Sequence, residues 1–265
     1  MKKILLQLLL PLIGAVTLPA QIILNETFTY PDGQLTANSS GAWTPNSGTA
    51  PLNVTNGAAI LRQLDTTSRE DAFRLLSTTF TPATDNASKI YASFTISYTI
   101  LPTAGDSDGS YFASIRTSAN GLYGRIGATT TGATPGSYRL GIANGTWNAT
   151  ASIELAQDLA LNTIYQVVFR LDLFTDQTTI WVNPLDESSL GATATDTFSY
   201  SGNIDSFAIR QGTTGTGRPG ETQFDSLLVG QSFADVTTAV PEPSTYAFIG
   251  LGLAGFCMMR RFQRK

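Results

Sequence analysis

Residues Lys89 to Leu101 alternate without a break: Ile90, Ala92, Phe94, Ile96, Tyr98 and Ile100 share one parity, and Tyr91, Ser93, Thr95, Ser97 and Thr99 the other. Successive side chains of an extended chain point to opposite faces, so this run predicts an antiparallel strand buried on one face. The pattern recurs in Tyr165, Val167, Phe169, Leu171 and Leu173, with Gln166, Arg170 and Asp172 between them. Phe174-Thr175-Asp176-Gln177 reads as the turn of a hairpin whose second strand is Thr178 to Val182. Further strands are expected at Ile22 to Thr29, Ala58 to Leu64, Phe73 to Phe80, Tyr111 to Thr117 and Leu122 to Ala128. Tyr138 to Ala143, Ile204 to Gln211 and Gln223 to Val229 complete the set. Between them, Pro31-Asp32-Gly33, Asn120-Gly121 and Asn144-Gly145 supply residues that tolerate positive φ in tight turns. The one helical candidate, Ile153 to Leu159, is a turn or two long and reads equally as an edge segment. So many short strands without helices predict one all-β domain, a two-sheet antiparallel sandwich, and no long internal repeat suggests a solenoid or propeller.

Composition narrows the chemistry. The chain has no His, so nucleophile systems that need an imidazole base, and zinc sites built on His, are excluded. Its single Cys, Cys257, lies near the C-terminus, which leaves the domain without a disulfide or thiol. Setting aside the two termini leaves 10 basic residues against 19 acidic ones, with Lys89 the only lysine. A body so acidic has no basic patch for counterion release, so nucleic acid is not an expected partner.

Both ends read as addresses. Met1-Lys2-Lys3 followed by an apolar run to Leu18-Pro19-Ala20 has the form of a secretory signal peptide over residues 1–20, with an uncleaved anchor as the other reading. At the C-terminus, Val240-Pro241-Glu242-Pro243-Ser244-Thr245 precedes an apolar stretch of 14 residues, Tyr246 to Met259, and then Arg260, Arg261, Arg264 and Lys265. As a helix that stretch covers about 21 Å of a hydrocarbon core about 30 Å thick, a marginal span, with the basic cluster held on the cytoplasmic side. This arrangement resembles the PEP-CTERM sorting tail of exported bacterial proteins over residues 240–265. The resemblance implies recognition by an exosortase-type membrane transpeptidase, transient residence in the inner membrane, and delivery to the cell surface or extracellular matrix. A permanent anchor would explain the helix and arginines but not the Pro-Glu-Pro spacing.

The body, residues 21–239, carries a second resemblance. YQVVFRLDLFTDQTTIWVNP (Tyr165 to Pro184), IDSFAIRQG (Ile204 to Gly212), FDSLLVGQSFADV (Phe224 to Val236) and the opening NETFTYPDGQL (Asn25 to Leu35) with Trp43 are similar to concanavalin A-like, laminin-G-like domains. That resemblance implies a jelly roll.

Glycosidases of this fold need two carboxylates flanking the scissile bond. None of the five body glutamates (Glu26, Glu70, Glu154, Glu187 and Glu221) begins the Glu-x-Asp-x-(x)-Glu pattern of laminarinase-like relatives, and the adjacent pairs Glu70-Asp71 and Asp186-Glu187 would point to opposite strand faces. Tyr and Lys lyase chemistry would rest on Lys89 alone, where a solvated edge charge is the simpler reading. Asp106-Ser107-Asp108-Gly109 offers Asp106 and Asp108 to a hard cation such as calcium but lacks the remaining acids of a complete loop, so a plain turn is expected and no metal or cofactor. Aromatic rings exposed on a sheet could stack on sugars; Trp147, Tyr123 and Trp43 are the candidates, although one aromatic per loop is normal on a sandwich and is the simpler reading, while Trp181 is expected to be core or to pack between the sheets. The expected function is a non-catalytic surface or matrix protein, associated with exopolysaccharide. A lectin-like carbohydrate-binding module and a glycan-cleaving enzyme are the alternatives.

Overall fold

The computed structural model describes residues 21–63, 68–85, 88–102, 111–145, 147, 152–196, 202–212 and 220–237. The signal-peptide, Asp106/Asp108 and sorting-tail expectations all lie outside these residues. No helix among them is long and apolar enough to cross a membrane.

The N-terminal part contributes β1 (Ile22–Glu26), β2 (Gly33–Gln34), the short helix α1 (Leu35–Asn38), β3 (Thr44–Ser47), β4 (Asn53–Thr55), β5 (Ala58–Gln63) and β6 (Asp71–Phe80). The middle contributes β7 (Lys89–Ile100), β8 (Tyr111–Thr117), β9 (Leu122–Thr129), β10 (Ser137–Ala143), β11 (Ile153–Glu154) and β12 (Leu159–Ala160). Then follow β13 (Tyr165–Asp172), β14 (Gln177–Val182), β15 (Gly191–Ala194), β16 (Ile204–Ile209), β17 (Gly220–Gly230) and the helix α2 (Phe233–Thr237). They form two antiparallel sheets in a jelly-roll sandwich. A nine-stranded sheet runs β15-β14-β13-β7-β17-β5-β4-β2, with β1 also on β17. An eight-stranded sheet runs β11-β10-β9-β8-β16-β6-β3, with β12 on β10.

The longest alternating run, β7, sits mid-sheet between β13 and β17. Its Phe94 stacks on Phe224 of β17 at 4.5 Å and meets Phe112 of β8 edge-on at 6.2 Å, so the two sheets interlock through rings. Tyr98 and Tyr138 close the same layer at 4.4 Å. Burying each such side chain contributes about 1.5–3 kcal/mol. Beside β7, the predicted hairpin forms with Val167 opposite Val182 and Asp172 opposite Gln177. Its turn begins one residue early, at Leu173. The Asp172 carboxylate sets it by accepting from the Phe174 and Thr175 N–H groups at 3.0 and 3.2 Å. The Ile153 to Leu159 segment takes its edge reading, as β11 and the start of β12 on β10.

Two expectations about outward faces need correction. The second face of β7 is dry at its start, where Tyr91 and Ser93 are 3% and 2% exposed, while Thr95 and Thr99 further along are half-buried. Trp181 is buried on this outer face rather than between the sheets, clustered with Tyr91, Val168 and Val236. The cause is α2, which lies across the nine-stranded sheet. Phe233 meets Trp181 edge-on at 6.0 Å and Tyr91 at 6.5 Å, and the Ser93 hydroxyl donates to the Val236 carbonyl at 2.6 Å. Gly230 permits the close approach, since a Cβ there would lie 2.6 Å from the Asp235 Cβ.

Candidate functional site

None of the three aromatic candidates offers a face to a ligand. Trp43, Tyr123 and Trp147 are each at most 1% exposed, which corrects the expectation of a sugar platform.

Trp43 belongs to a buried polar knot. Its indole Nε1 donates to Glu26 at 2.8 Å, the Tyr30 hydroxyl donates to the same carboxylate at 2.7 Å, and the Phe28 N–H does so at 2.6 Å. Arg74 completes the set with an ion pair to Glu26. Phe28 sits at φ 49°, an unusual conformation for a bulky residue, and the Glu26 contact to its N–H holds it there. The similar opening Asn25 to Leu35 with Trp43 is therefore a packing device.

Tyr123 is part of the main core. Trp147 lies against the outer face of the eight-stranded sheet, over two glycines. Gly127 and Gly141 alternate with the core residues Ile126, Ala128, Leu140 and Ile142, so they face outward. A Cβ on Gly127 would come within 2.4 Å of the Trp147 ring, and one on Gly141 within 3.2 Å. With Tyr111, Ala143 and Leu122 the ring makes a satellite cluster.

Beside that cluster the outer face opens into a cleft of about 200 Å³ between β3, β6, β8 and β16. Asn46, Ser47, Asp71, Tyr111, Ser114 and Arg210 supply its polar and aromatic lining. The Tyr111 ring carries the Arg210 guanidinium at 4.3 Å and that of Arg125 at 4.9 Å, while Arg116 lies 4.0 Å from the Phe73 ring centre. Such stacking holds flat cationic donors in place. Asp71 faces this side, accepting from Ser47 Oγ at 2.9 Å and from the Gln211 and Gly212 N–H groups at 2.9 and 3.3 Å. Arg210 Nε is 3.6 Å away. Burial raises the Asp71 pKa above the ordinary carboxylate value, and the cation and hydrogen bonds counter part of that rise. A carboxylate with these partners orients its neighbours.

The other acids are engaged elsewhere. Glu70 points away from Asp71, accepting from Thr36 Oγ1 at 2.8 Å and from the Leu52 N–H at 3.1 Å, so the adjacent pair does face opposite ways. Glu187 takes the Tyr91 hydroxyl at 3.0 Å and Arg170 at 3.0 Å; Glu221 pairs with Arg62 and Thr99. Exposed Lys89 lies 3.7 Å from Asp172 at the start of β7. Among the described residues no group of three Asp, Glu, Cys or His could hold a metal ion.

No curated protein matches the chain. Among solved structures it is similar to the CBM2 module of the evolved Dit of Lactobacillus casei BL23 phage J-1, at 12% identity and TM-score 0.47, covering 80% of this chain and 96% of that one. It is similar to lectin I-B4 of Griffonia simplicifolia at 13% and 0.43, covering 71% and 92%. For the alginate lyase of Alteromonas sp. 272 the values are 7% and 0.42, covering 74% and 98%. Those activities belong to those proteins. Residues 239–261 match the model of the PEP-CTERM protein-sorting motif, so the chain carries that motif at its C-terminus.

Proposed function

We propose that this protein is an exported, non-catalytic component of the cell surface or extracellular matrix, sorted by an exosortase-type transpeptidase and associated with exopolysaccharide. The observation that carries the reading is the sorting-motif match at residues 239–261, directly behind a body that ends in β17 and α2. The leader over residues 1–20 starts export. A 14-residue apolar stretch then detains the precursor, since about 21 Å of helix only just serves as a span, and the basic end stays on the cytoplasmic side. The transpeptidase acts near Pro241-Glu242-Pro243 and releases the body from the helix. The engagement of Glu26, Glu70, Asp71, Glu187 and Glu221 in internal hydrogen bonds supports a body that performs no hydrolysis. Mass spectrometry of the surface-derived protein tests this: peptides are expected to end near the Pro-Glu-Pro motif, and intact peptides reaching Lys265 would overturn it.

The cleft favours one further reading, a lectin-like module, because it gathers arginine, amide and hydroxyl donors around an aromatic ring. On a glycan array, binding in the micromolar range is expected to weaken about tenfold in Asn46→Ala, the loss of roughly one hydrogen bond. Thr193→Ala on the other sheet should leave it unchanged. Equal binding by both variants would remove the cleft from consideration.

A further inference from the structure

The sorting motif begins only a few residues beyond α2, and α2 is fastened to one particular face. Its Val236 is 1% exposed and its carbonyl is held by Ser93. Asp235 locks the approach by accepting from the Gln231 and Ser232 N–H groups at 3.1 and 2.9 Å, and the Thr237 hydroxyl bonds back to the Phe233 carbonyl at 2.8 Å. The chain therefore leaves the fold from the middle of the outer face of the nine-stranded sheet.

From Thr237 to Tyr246, where the apolar stretch starts, there are nine residue steps, which reach at most about 30 Å when fully extended. Ser93, beneath Val236, is four residues from the start of β7 and three strands from the β15 edge. Either way out to the rim therefore takes up about 14 Å. Passing from one sheet to the other takes about 10 Å more. What remains, about 6 Å, is too short to bring the opposite face round onto a bilayer.

We infer that the membrane-held precursor is mounted through the outer face of its nine-stranded sheet, apposed to the lipid surface, so that the cleft on the eight-stranded sheet faces the medium. The inference rests on the tail residing in the membrane, as proposed above. It assigns the two outer faces different neighbours: lipid headgroups for the side bearing α2, and soluble or matrix polymers for the side bearing Tyr111 and Arg210.

Two exposed positions read the orientation. Thr193 is on the outer face of β15, its hydroxyl 3.0 Å from that of Thr179, and Leu75 is 61% exposed on the outer face of β6. Because Cys257 is the only cysteine, Cys257→Ser gives a background in which Thr193→Cys and Leu75→Cys each accept one fluorophore. The full chain is placed in phospholipid vesicles that carry a spin label on the lipid headgroup. The label at Thr193→Cys is expected to be quenched severalfold more strongly than the label at Leu75→Cys. Inserting a flexible Gly/Ser segment of about ten residues after Thr237 is expected to level the two, because the tether then reaches round the sandwich. Equal quenching without the insertion, or stronger quenching at Leu75→Cys, would overturn the mounting. Flotation of the vesicles separates the two levels of argument. A chain that floats but shows no contrast sinks the orientation alone, and a chain that does not float sinks the membrane-tail reading and the orientation with it.

Discussion

Glu26→Ala is expected to lower the unfolding free energy by about 3–5 kcal/mol, the usual loss when one member of a buried, hydrogen-bonded ion pair is removed. The carboxylate is 3% exposed and serves the Phe28 N–H, the Tyr30 hydroxyl, the Trp43 indole and Arg74. Deleting it leaves the indole donor buried without its acceptor, leaves a guanidinium without its counter-charge, and frees a Phe28 backbone held at φ 49°. Glu26→Gln should recover only part of the loss, because one acceptor becomes a donor and the charge on Arg74 stays unpaired. Urea unfolding measures the size, and the cycle with Arg74→Ala should be strongly non-additive. A loss below about 1 kcal/mol for Glu26→Ala, or additive behaviour in the cycle, would mean that the knot is not a unit.

Trp147→Ala should be comparably damaging, at about 3–5 kcal/mol for an aromatic side chain removed from a packed position. Here the site cannot collapse to fill the space. The ring rests on Gly127 and Gly141, which have no side chains to move into the void, and on a β-ladder whose register fixes them opposite one another. The converse change, Gly127→Ala, should also destabilise, since its Cβ would sit inside the ring's van der Waals envelope. Denaturant melts of both variants check this. Full stability in Trp147→Ala, accompanied by lost glycan binding, would restore the ring as a ligand platform.

These two sites mark where sequence was and was not enough. Long alternating runs such as Lys89 to Leu101 or Tyr165 to Leu173 became strands at nearly the expected bounds, because period two is a local property of one chain segment. Short edge pieces such as Thr44–Ser47 and Gly191–Ala194 escaped, since two to four polar or small residues carry no period. The tail was readable for the opposite reason, being contiguous. The cleft was not: Asn46, Asp71, Tyr111 and Arg210 come from or border four different strands, and nothing in their spacing says that they meet. Trp147 stands beside an Asn-Gly turn, so its neighbours in sequence look wet. The clue to its burial lay on two other strands, where outward glycines mark a close approach. Likewise the outer face of β7 carries serines and threonines, and the docking of α2 buries its Tyr91 and Ser93.

The last strand, β17, has one flank on β7 and the other divided between two partners. Gly220 to Phe224 pair with β5, Leu227 to Gly230 pair with β1, and Ser226 turns the corner between them at φ 55°. The first segment of the body to emerge from the ribosome thus has no partner until nearly the last has followed it. Pairings so distant along the chain are slow to form. Until Gly220–Gly230 arrives, the facing edges of β5 and β7 stay open and the nine-stranded sheet stays split in two. Completion of the sandwich therefore waits on a strand from the far end of the body.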